Sequence, residues 1–522
     1  MGAPAPRAGE RSQVGCSSVP VTVRPATCAP VPLSGLAELL GRPIPAVDPQ
    51  VTGVTHASGE VVAGDLYAAL PGARRHGAEF AAQAAAAGAV AVLTDPAGAA
   101  LAAASGLPAL VVDDPRAVLG LVADRVYGEP SRALTIIGIT GTAGKTSTAY
   151  LVESGLRAAG HVTGILGTVE TRLGDLAVTS KRTTPEATDL HALLAVARER
   201  GVTALVMEVS SHALALGRVG GVRFAVAGWT NFGLDHLDFH ATTEEYFAAK
   251  ASFFDGRAGT EILNFDEPAT TGLTKPATVT YSAAGDTAAT WYAQDVSGGS
   301  EQRFTAYGPG GQELSAGVNL AGRHNVANAL LAIASLVAVG VPGQTAADGV
   351  AACPGVPGRL EQVAGPEGSP LGIVDYAHKP DAIVAVLKAL RELADHRGGR
   401  IITVLGAGGD RDTGKRRPMG QAAAEGSDVL FVTDDNPRTE DPAGVRAGVL
   451  DGATDVAGGA EVFEIAGRRA AIDAAVRESG PADVVAVLGK GHETGQEVGT
   501  EILPFDDRIE LAAALAEGRR TA

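Results

Sequence analysis

From about residue 33 to residue 126, alanine-rich stretches such as AEFAAQAAAAGA alternate with short β-branched runs such as AVAVLTD and ALVVDD. That alternation predicts a small α/β unit. A linker, YGEPSRA, precedes a second set in which LTIIGIT, TALVMEVS and FAVAGWTNF are near-continuous apolar runs. Such runs are expected of strands buried on both faces of a parallel sheet. A third set follows PGVPGRLE, with LGIVDYA, IITVLGA, VLFVTDD and VVAVLGK separated by helical stretches. Each of these four strands ends in polar or glycine residues, and in open α/β sheets ligands sit at the carboxyl ends of the strands. No repeat at solenoid period is visible.

The chain has 522 residues, more than one core usually accommodates, and 45% of them are apolar. Several globular domains are therefore expected. Acidic residues outnumber basic ones by 59 to 42, for a net charge of -17. That balance argues against nucleic acid or an anionic membrane as partner, since both reward a basic face. An anionic substrate has to be gripped by local groups instead. Cys16, Cys28 and Cys353 are too few and too scattered for a disulfide framework or zinc site, which points to a reducing cytoplasmic setting. No apolar run approaches the roughly 18 residues needed to span a bilayer. Residues 1–32, rich in Pro, Ala and Ser, lack the apolar centre of a signal peptide and are expected to form a disordered tail.

Candidate chemistry begins with IIGITGTAGKTSTAY, residues 136–150. A strict phosphate-loop pattern needs a glycine five positions before Gly144, where Ile139 stands. The physics survives the mismatch: a strand ends at Thr140, Gly141 and Gly144 let backbone N–H groups approach an anion, and a helix is expected from about Lys145. Lys145 would reach the β- and γ-phosphates and the Thr146 hydroxyl would sit on Mg²⁺. MEVSSH, residues 207–212, closes an apolar run with Glu208, a second oxygen donor for that ion. In NFGLDHLDFH, His236 and His240 with Asp235 and Asp238 allow a zinc reading, but histidines in so apolar a stretch with no cysteine are more often packed or capping. Thr242 and Glu245 have capping-box spacing, which predicts a helix carrying Lys250 about two turns in. With Tyr246, Phe247 and Phe254 near it, Lys250 reads from composition alone as a snorkelling surface residue.

Together these motifs resemble the Mur ligase family, ATP-dependent amide-forming enzymes of peptidoglycan precursor synthesis, whose loop reads GTxGKT. In family order follow TTP at 183–185, EVSSH at 208–212, DHLDFH at 235–240, YFAAK at 246–250, GRHNVAN at 322–328, PGRLE at 357–361 and DYAHKPD at 375–381. The resemblance covers the chain from about residue 50 to 510. It implies an α/β fold of three domains: a small N-terminal α/β domain binding the UDP-substrate (33–128), a central P-loop-type ATPase domain with a mostly parallel sheet (129–355) and a C-terminal Rossmann-like, amino-acid-binding domain (356–522).

The third set carries GGDRDTGKRRPMG at 408–420, DDNPRTEDP at 434–442 and GKGHE at 489–493. The Asp435-Asn436-Pro437-Arg438 box is similar to that of family members adding meso-2,6-diaminopimelate to UDP-N-acetylmuramoyl-L-alanyl-D-glutamate. The distal carboxylate of that acceptor suits a bidentate guanidinium, and Arg438 and Arg416 are the candidates. Asp435, Asn436, Gly489 and Glu493 are assigned to its remaining groups.

The resemblance also implies ATP contacts from Gly141, Thr142, Ala143, Gly144, Lys145, Thr146 and Ser147, with Asn325 near adenine and Arg359 and Asp375 against the rest of the nucleotide. Lys145, Glu208, His236 and Lys250 take catalytic roles, with Thr146, Glu208, His236 and Lys250 around Mg²⁺. Lys250 matches a lysine that the family carries as a carbamate. Ser58, Thr183, Thr184, Ser210 and Arg218 hold the UDP-muramoyl-dipeptide. A monomer is expected.

Some positions depart from the family pattern: Ala57-Ser58-Gly59 replaces Asp-Ser-Arg, Leu216 stands for a frequent Gln and Leu234 for a frequent Arg. GAGGDR lacks the third glycine of a dinucleotide fingerprint, which argues against a nicotinamide cofactor. Two rival readings are the same ligase with L-lysine as acceptor and a non-catalytic, nucleotide-binding regulatory relative.

Overall fold

The computed structural model describes residues 23–179, 182–233, 235–237, 239–299 and 301–517. Its backbone is built around three sheets. Strands Gly53–Thr55, Asp65–Ala68, Ala91–Thr94 and Ala109–Val111 form a parallel sheet in sequence order. Helix Pro115–Val126 follows, started by Asp114, whose carboxylate accepts from Arg116 N at 2.9 Å and Ala117 N at 3.1 Å while proline takes the first turn.

The central sheet has 11 strands. Strand Thr135–Thr140 lies between Ala204–Glu208 and Phe224–Trp229, all parallel. The chain leaves Thr135–Thr140 for Thr163–Leu166 on one side and later crosses to Phe224–Trp229 on the other. The carboxyl end of Thr135–Thr140 is thus a topological switch point, where a crevice opens for a ligand. Ala204–Glu208 is buried along its whole length, as its unbroken apolar text predicts. Antiparallel hairpins close both edges, and helices Lys145–Ala158 and His324–Ala338 pack into the same core.

The third sheet, of 6 strands, runs Glu361–Val363, Leu371–Asp375, Val484–Leu488, Ile401–Ala407, Val429–Asp434, Glu461–Glu464, parallel except for the first. Register sets Asp375 and Leu405 on either side of Leu488 and Ala407 beside Asp434, so the polar strand ends converge on one edge. Beneath that edge Arg468 and Asp507, both fully buried, form a two-pronged ion pair with N···O distances of 2.7 Å.

The sheets touch one another through specific contacts. Helix Pro115–Val126 lies on helix Ala187–Glu199, and Gly120 comes so close to Gly220 that a Cβ would stand 2.3 Å from its carbonyl oxygen. Residues 23–32, expected in the disordered tail, are ordered instead. Arg24 makes a bidentate pair with buried Asp65 at 2.6 and 2.8 Å, and Val31–Pro32 pairs with Gln50–Val51. A carboxylate buried in the first sheet needs a cation, and this segment supplies it. The rest of the expected tail, residues 1–22, lies outside the described residues, as do Asp238 and Leu234.

Candidate active site

Strand Thr135–Thr140 delivers the chain into a loop whose two glycines adopt positive φ, 136° at Gly141 and 84° at Gly144. A Cβ would stand 1.9 Å from Thr230 Oγ1 at the first and 2.5 Å from Asn328 Oδ1 at the second, so neither position tolerates a side chain. The loop is held from outside: Asn231 Oδ1 accepts from Ala143 N at 2.9 Å, and Thr230 Oγ1 donates to the Ala143 carbonyl at 2.6 Å. Helix Lys145–Ala158 starts directly after Gly144 and points its N-terminus at the loop. Lys145 Nζ folds back to the carbonyls of Gly141 at 2.8 Å and Thr142 at 2.9 Å. Burial lowers its pKa while Glu208 and Asp235 act in the opposite sense. Ser147 is buried in the helix's first turn.

Glu208 ends its strand against this helix. Its Oε1 accepts from Thr146 Oγ1 at 3.0 Å and from Thr168 N at 2.8 Å, and its Oε2 from Thr168 Oγ1 at 3.2 Å. Thr168 in turn meets Thr183 Oγ1 at 3.0 Å. Among the described residues no group of three or more His, Cys, Asp or Glu side chains is arranged to hold a metal. The adjacent Thr146 hydroxyl and Glu208 carboxylate nevertheless fit Mg²⁺, a hard ion that takes one or two protein oxygens and keeps several waters.

Lys250 overturns its compositional reading. Only 1% exposed, it donates from Nζ to the Gly141 carbonyl at 2.8 Å and lies over the Tyr246 ring, 4.5 Å from its centre. The helix that carries it, Thr243–Ala251, starts where the capping spacing places it, with Thr242 Oγ1 accepting from Glu245 N at 3.2 Å. Tyr246 and Lys250, one turn apart, therefore face inward onto the phosphate loop, and aromatic neighbours that suggested a surface stem are its walls. Burial holds the Lys250 amine well below the ordinary lysine range, with Lys145 pushing the same way. His236 stands at φ 53° with its ring 4.6 Å from that of His212, and burial brings its pKa down to about 4. Next to it, Asp235 pairs with Lys379 from the third sheet.

The residues expected at the dipeptide form a second patch beside Glu208. Thr184 Oγ1 donates to the Glu208 carbonyl at 2.9 Å and lies 3.3 Å from Ser210 Oγ, which caps the helix Ser211–Ala215. Arg218 is nearly buried and bound to Glu186 at 2.8 Å. Ser58 is not part of this patch; it starts a short 3₁₀ turn in the first sheet, where the Tyr67 hydroxyl is its partner. The first sheet is tied in through His56 Nδ1, 3.1 Å from Thr188 Oγ1.

Of the residues expected at the nucleotide, Asn325 is buried and committed internally, donating to the Ala321 carbonyl at 2.7 Å and accepting from Asn328 at 2.9 Å. The Arg359 guanidinium lies 4.6 Å from the Tyr376 ring centre. Asp375 accepts from Leu360 N at 2.7 Å and Ala377 N at 2.8 Å; burial raises its pKa, opposed by Arg359.

The acceptor candidates gather at the edge of the third sheet. Asn436 Nδ2 donates to Glu493 Oε2 at 2.9 Å, and Lys490, fully buried, bridges Asn436 Oδ1 and Glu493 Oε2 at 2.9 Å each. Gly489 has φ 118°, and a Cβ there would stand 2.6 Å from Asp435 Oδ2. Arg416 pairs with Glu440 at 2.8 Å and donates from Nη2 to the Gly408 carbonyl at 3.3 Å, and Arg438 Nη1 donates to the Gly409 carbonyl at 2.7 Å. Both arginines therefore bracket the Gly408–Gly409 backbone.

Sequence reasoning did not single out Thr168, Asn231, Lys379 or Lys490 as site residues. Their shared feature is position: Thr168, Asn231 and Lys490 each stand two residues after a strand, Thr163–Leu166, Phe224–Trp229 and Val484–Leu488. A surface cavity of about 440 Å³ lined by Arg125, Glu129, Arg132 and Arg198 lies away from this chemistry, at the junction of the first and central sheets.

The chain matches the Mur ligase family catalytic domain over residues 50–127, the Mur ligase middle domain over 139–336 and the Mur ligase glutamate ligase domain over 358–491. It is 54% identical over 502 residues to a Streptomyces coelicolor protein named UDP-N-acetylmuramoyl-L-alanyl-D-glutamate--2,6-diaminopimelate ligase, covering 94% of this chain and 98% of that one. A Corynebacterium glutamicum protein of the same name is 47% identical, with 87% and 89% covered. A solved structure of a ligase of that name superposes with a TM-score of 0.65 at 30% identity, covering 90% of this chain and 96% of that one. MurF from Acinetobacter baumannii shares the fold, with a TM-score of 0.60 at 19% identity, covering 94% of this chain and 100% of that one. With all three domain models matched in order and a relative 54% identical over nearly the whole chain, the chain belongs to the Mur ligase family.

Proposed function

We propose that this protein is the ATP-dependent ligase that joins meso-2,6-diaminopimelate to UDP-N-acetylmuramoyl-L-alanyl-D-glutamate. A carboxylate does not react with an amine at neutral pH, so the acid is activated first. Its γ-carboxylate oxygen attacks the γ-phosphorus of ATP, the β–γ bridging P–O bond breaks, and ADP leaves. The acceptor amine then adds to the carbonyl carbon of the acyl phosphate. The tetrahedral intermediate expels phosphate with the C–O electron pair, and the nitrogen loses a proton to give the amide.

Lys145 exchanges its contacts with Gly141 and Thr142 for phosphate oxygens, and the loop N–H groups hold the same anion. Thr146 and Glu208 would hold Mg²⁺, which when bound neutralises charge on the transferring phosphoryl group. Burial lowers the basicity of the Lys250 amine and so favours the neutral form, which would add CO₂ with release of a proton to give a carbamate. That anion and neutral His236 would complete a second cation site. Asn325, Arg359 and Asp375 would hold the rest of the nucleotide, and Ser58, Thr183, Thr184, Ser210 and Arg218 the UDP-substrate. Residues 33–128, 129–355 and 356–522 would act as the UDP-substrate, ATP and acceptor domains.

The observation that carries the reading is that the strand ends of the central and third sheets meet. Lys379 reaches Asp235, and the His492 ring faces the Thr168 backbone beside Glu208. An acyl phosphate formed at the strand ends of one sheet would then stand near an amine held at those of the other, which would position the reactants. Arg438 and Arg416 favour an acceptor with a distal carboxylate over L-lysine. A silent regulatory relative has no chemical use for Lys145, Glu208 and Lys250 together. We place the enzyme in the cytoplasm as a monomer; among the described residues no helix is long and apolar enough to cross a membrane. Phosphate release should require ATP, the UDP-muramoyl-dipeptide and meso-diaminopimelate together. Equal turnover with L-lysine, or release independent of acceptor, would overturn the assignment.

A further inference from the structure

The hairpin of strands Gly495–Val498 and Glu501–Pro504 is not held by a core. Its second strand is exposed throughout, and Ile502 is 72% exposed. What its first strand does hold is the Asp435–Arg438 box. Gln496 Nε2 donates to the Asp435 carbonyl at 2.6 Å and Glu497 N to Asn436 Oδ1 at 2.9 Å. Arg438 N donates to the Glu497 carbonyl at 3.0 Å, and the Arg438 carbonyl accepts from Gly499 N at 2.7 Å. Both backbone groups of Arg438 are thereby fixed while the residue sits at φ 53°. A long side chain rarely occupies that left-handed region, and it persists only where the surroundings over-determine it.

The side chain is fixed as well. Arg438 Nε donates to Glu497 Oε2 at 2.6 Å, and Nη1 donates to the Gly409 carbonyl at 2.7 Å. Gly408 lies against the guanidinium, where a Cβ would be 3.0 Å from Nη1. Among the described residues no hydrogen bond uses Nη2. One residue, Glu497, thus contributes its carbonyl to the backbone and its carboxylate to the head group of the same arginine.

We propose that Glu497 is a specificity-determining positioning residue: it clamps the Arg438 guanidinium so that its Nη2 side is presented to the distal carboxylate of the acceptor. This rests on the acceptor reading above. A guanidinium already oriented loses less freedom when the ligand arrives, which favours binding without any contact between Glu497 and the ligand. The pair is half open to water, with side-chain exposures of 20% and 44%. Ion pairs so placed add little to stability, so a purely structural role and a positioning role predict different readouts.

The test is steady-state kinetics on the full-length enzyme and its Glu497→Ala, Glu497→Gln and Glu497→Asp variants, with melting temperatures as control. Glu497→Ala should raise KM for meso-diaminopimelate roughly three- to tenfold, the effect expected when a long side chain has to be ordered on binding, and leave KM for ATP unchanged. Melting should be unchanged, and Glu497→Asp should recover part of the loss. An acceptor KM that stays constant or falls would overturn the proposal, because Glu497 would then be inert or competing for the arginine. So would an equal rise in both KM values. Wild-type enzyme that uses L-lysine and not meso-diaminopimelate would instead overturn the acceptor reading, before any variant is made.

Discussion

Lys379, at the head of helix Pro380–Arg397 in the third sheet, forms an ion pair with Asp235, which lies beside His236 at the end of the central sheet. Burial alone would raise the Asp235 pKa, but the Lys379 ammonium brings it below the ordinary carboxylate range. One ion pair therefore links the loop region of the central sheet to the third sheet, for which we propose the acceptor role.

If that pair sets the closed geometry, Lys379→Ala should lower kcat by about ten- to a hundredfold, the scale of misplacing reactants by an ångström. Combining it with Asp235→Asn should add little further loss, since both remove one interaction. Losses that multiply in the double variant would refute the coupling. The activity of the wild type should also decline with ionic strength more steeply than that of Lys379→Ala.

Lys250→Ala should abolish turnover, with partial rescue by a small carboxylate supplied in solution. Removal of dissolved CO₂ should slow the wild type and leave the rescued variant unaffected. Full activity of Lys250→Ala would refute a role for this side chain.

Arg438→Ala should raise KM for meso-diaminopimelate much more than KM for ATP, since only the acceptor's carboxylate loses a partner. Losing a charge-assisted pair corresponds to roughly ten- to a hundredfold. Equal rises for both substrates would remove Arg438 from the acceptor site.

Acid should destabilise the fold through histidines buried in neutral form. Burial lowers His378 and His492 from the ordinary 6.5 to about 4. The unfolded chain takes up protons at these positions near pH 6.5 while the folded chain does not, so their contribution is complete above pH 6.5. It falls as the pH drops from 6.5 to about 4 and changes no further below that. Urea midpoints should be lower at pH 5 than at pH 7.5, and the difference should shrink in His378→Asn. An undiminished difference in that variant would exclude His378.

Features that are local or periodic were legible in the order of the residues. A strand, a turn of positive-φ glycines and a helix N-terminus occupy consecutive residues, so the phosphate loop at 141–146 is legible from its spacing. The apolar runs 204–208 and 484–488 announce strands buried on both faces, and Thr242 with Glu245 announces a helix start. Which side chains meet across those elements depends on how the elements pack in three dimensions. Nothing near Lys250 in the chain says that its helix turns inward onto Gly141, and nothing near Arg24 says that it reaches Asp65. Lys379 with Asp235 and Glu497 with Arg438 join residues 144 and 59 positions apart. Burial and charge pairing depend on how whole elements pack, and that packing leaves no period in the local text, whereas a turn or a cap is fixed by its own few residues.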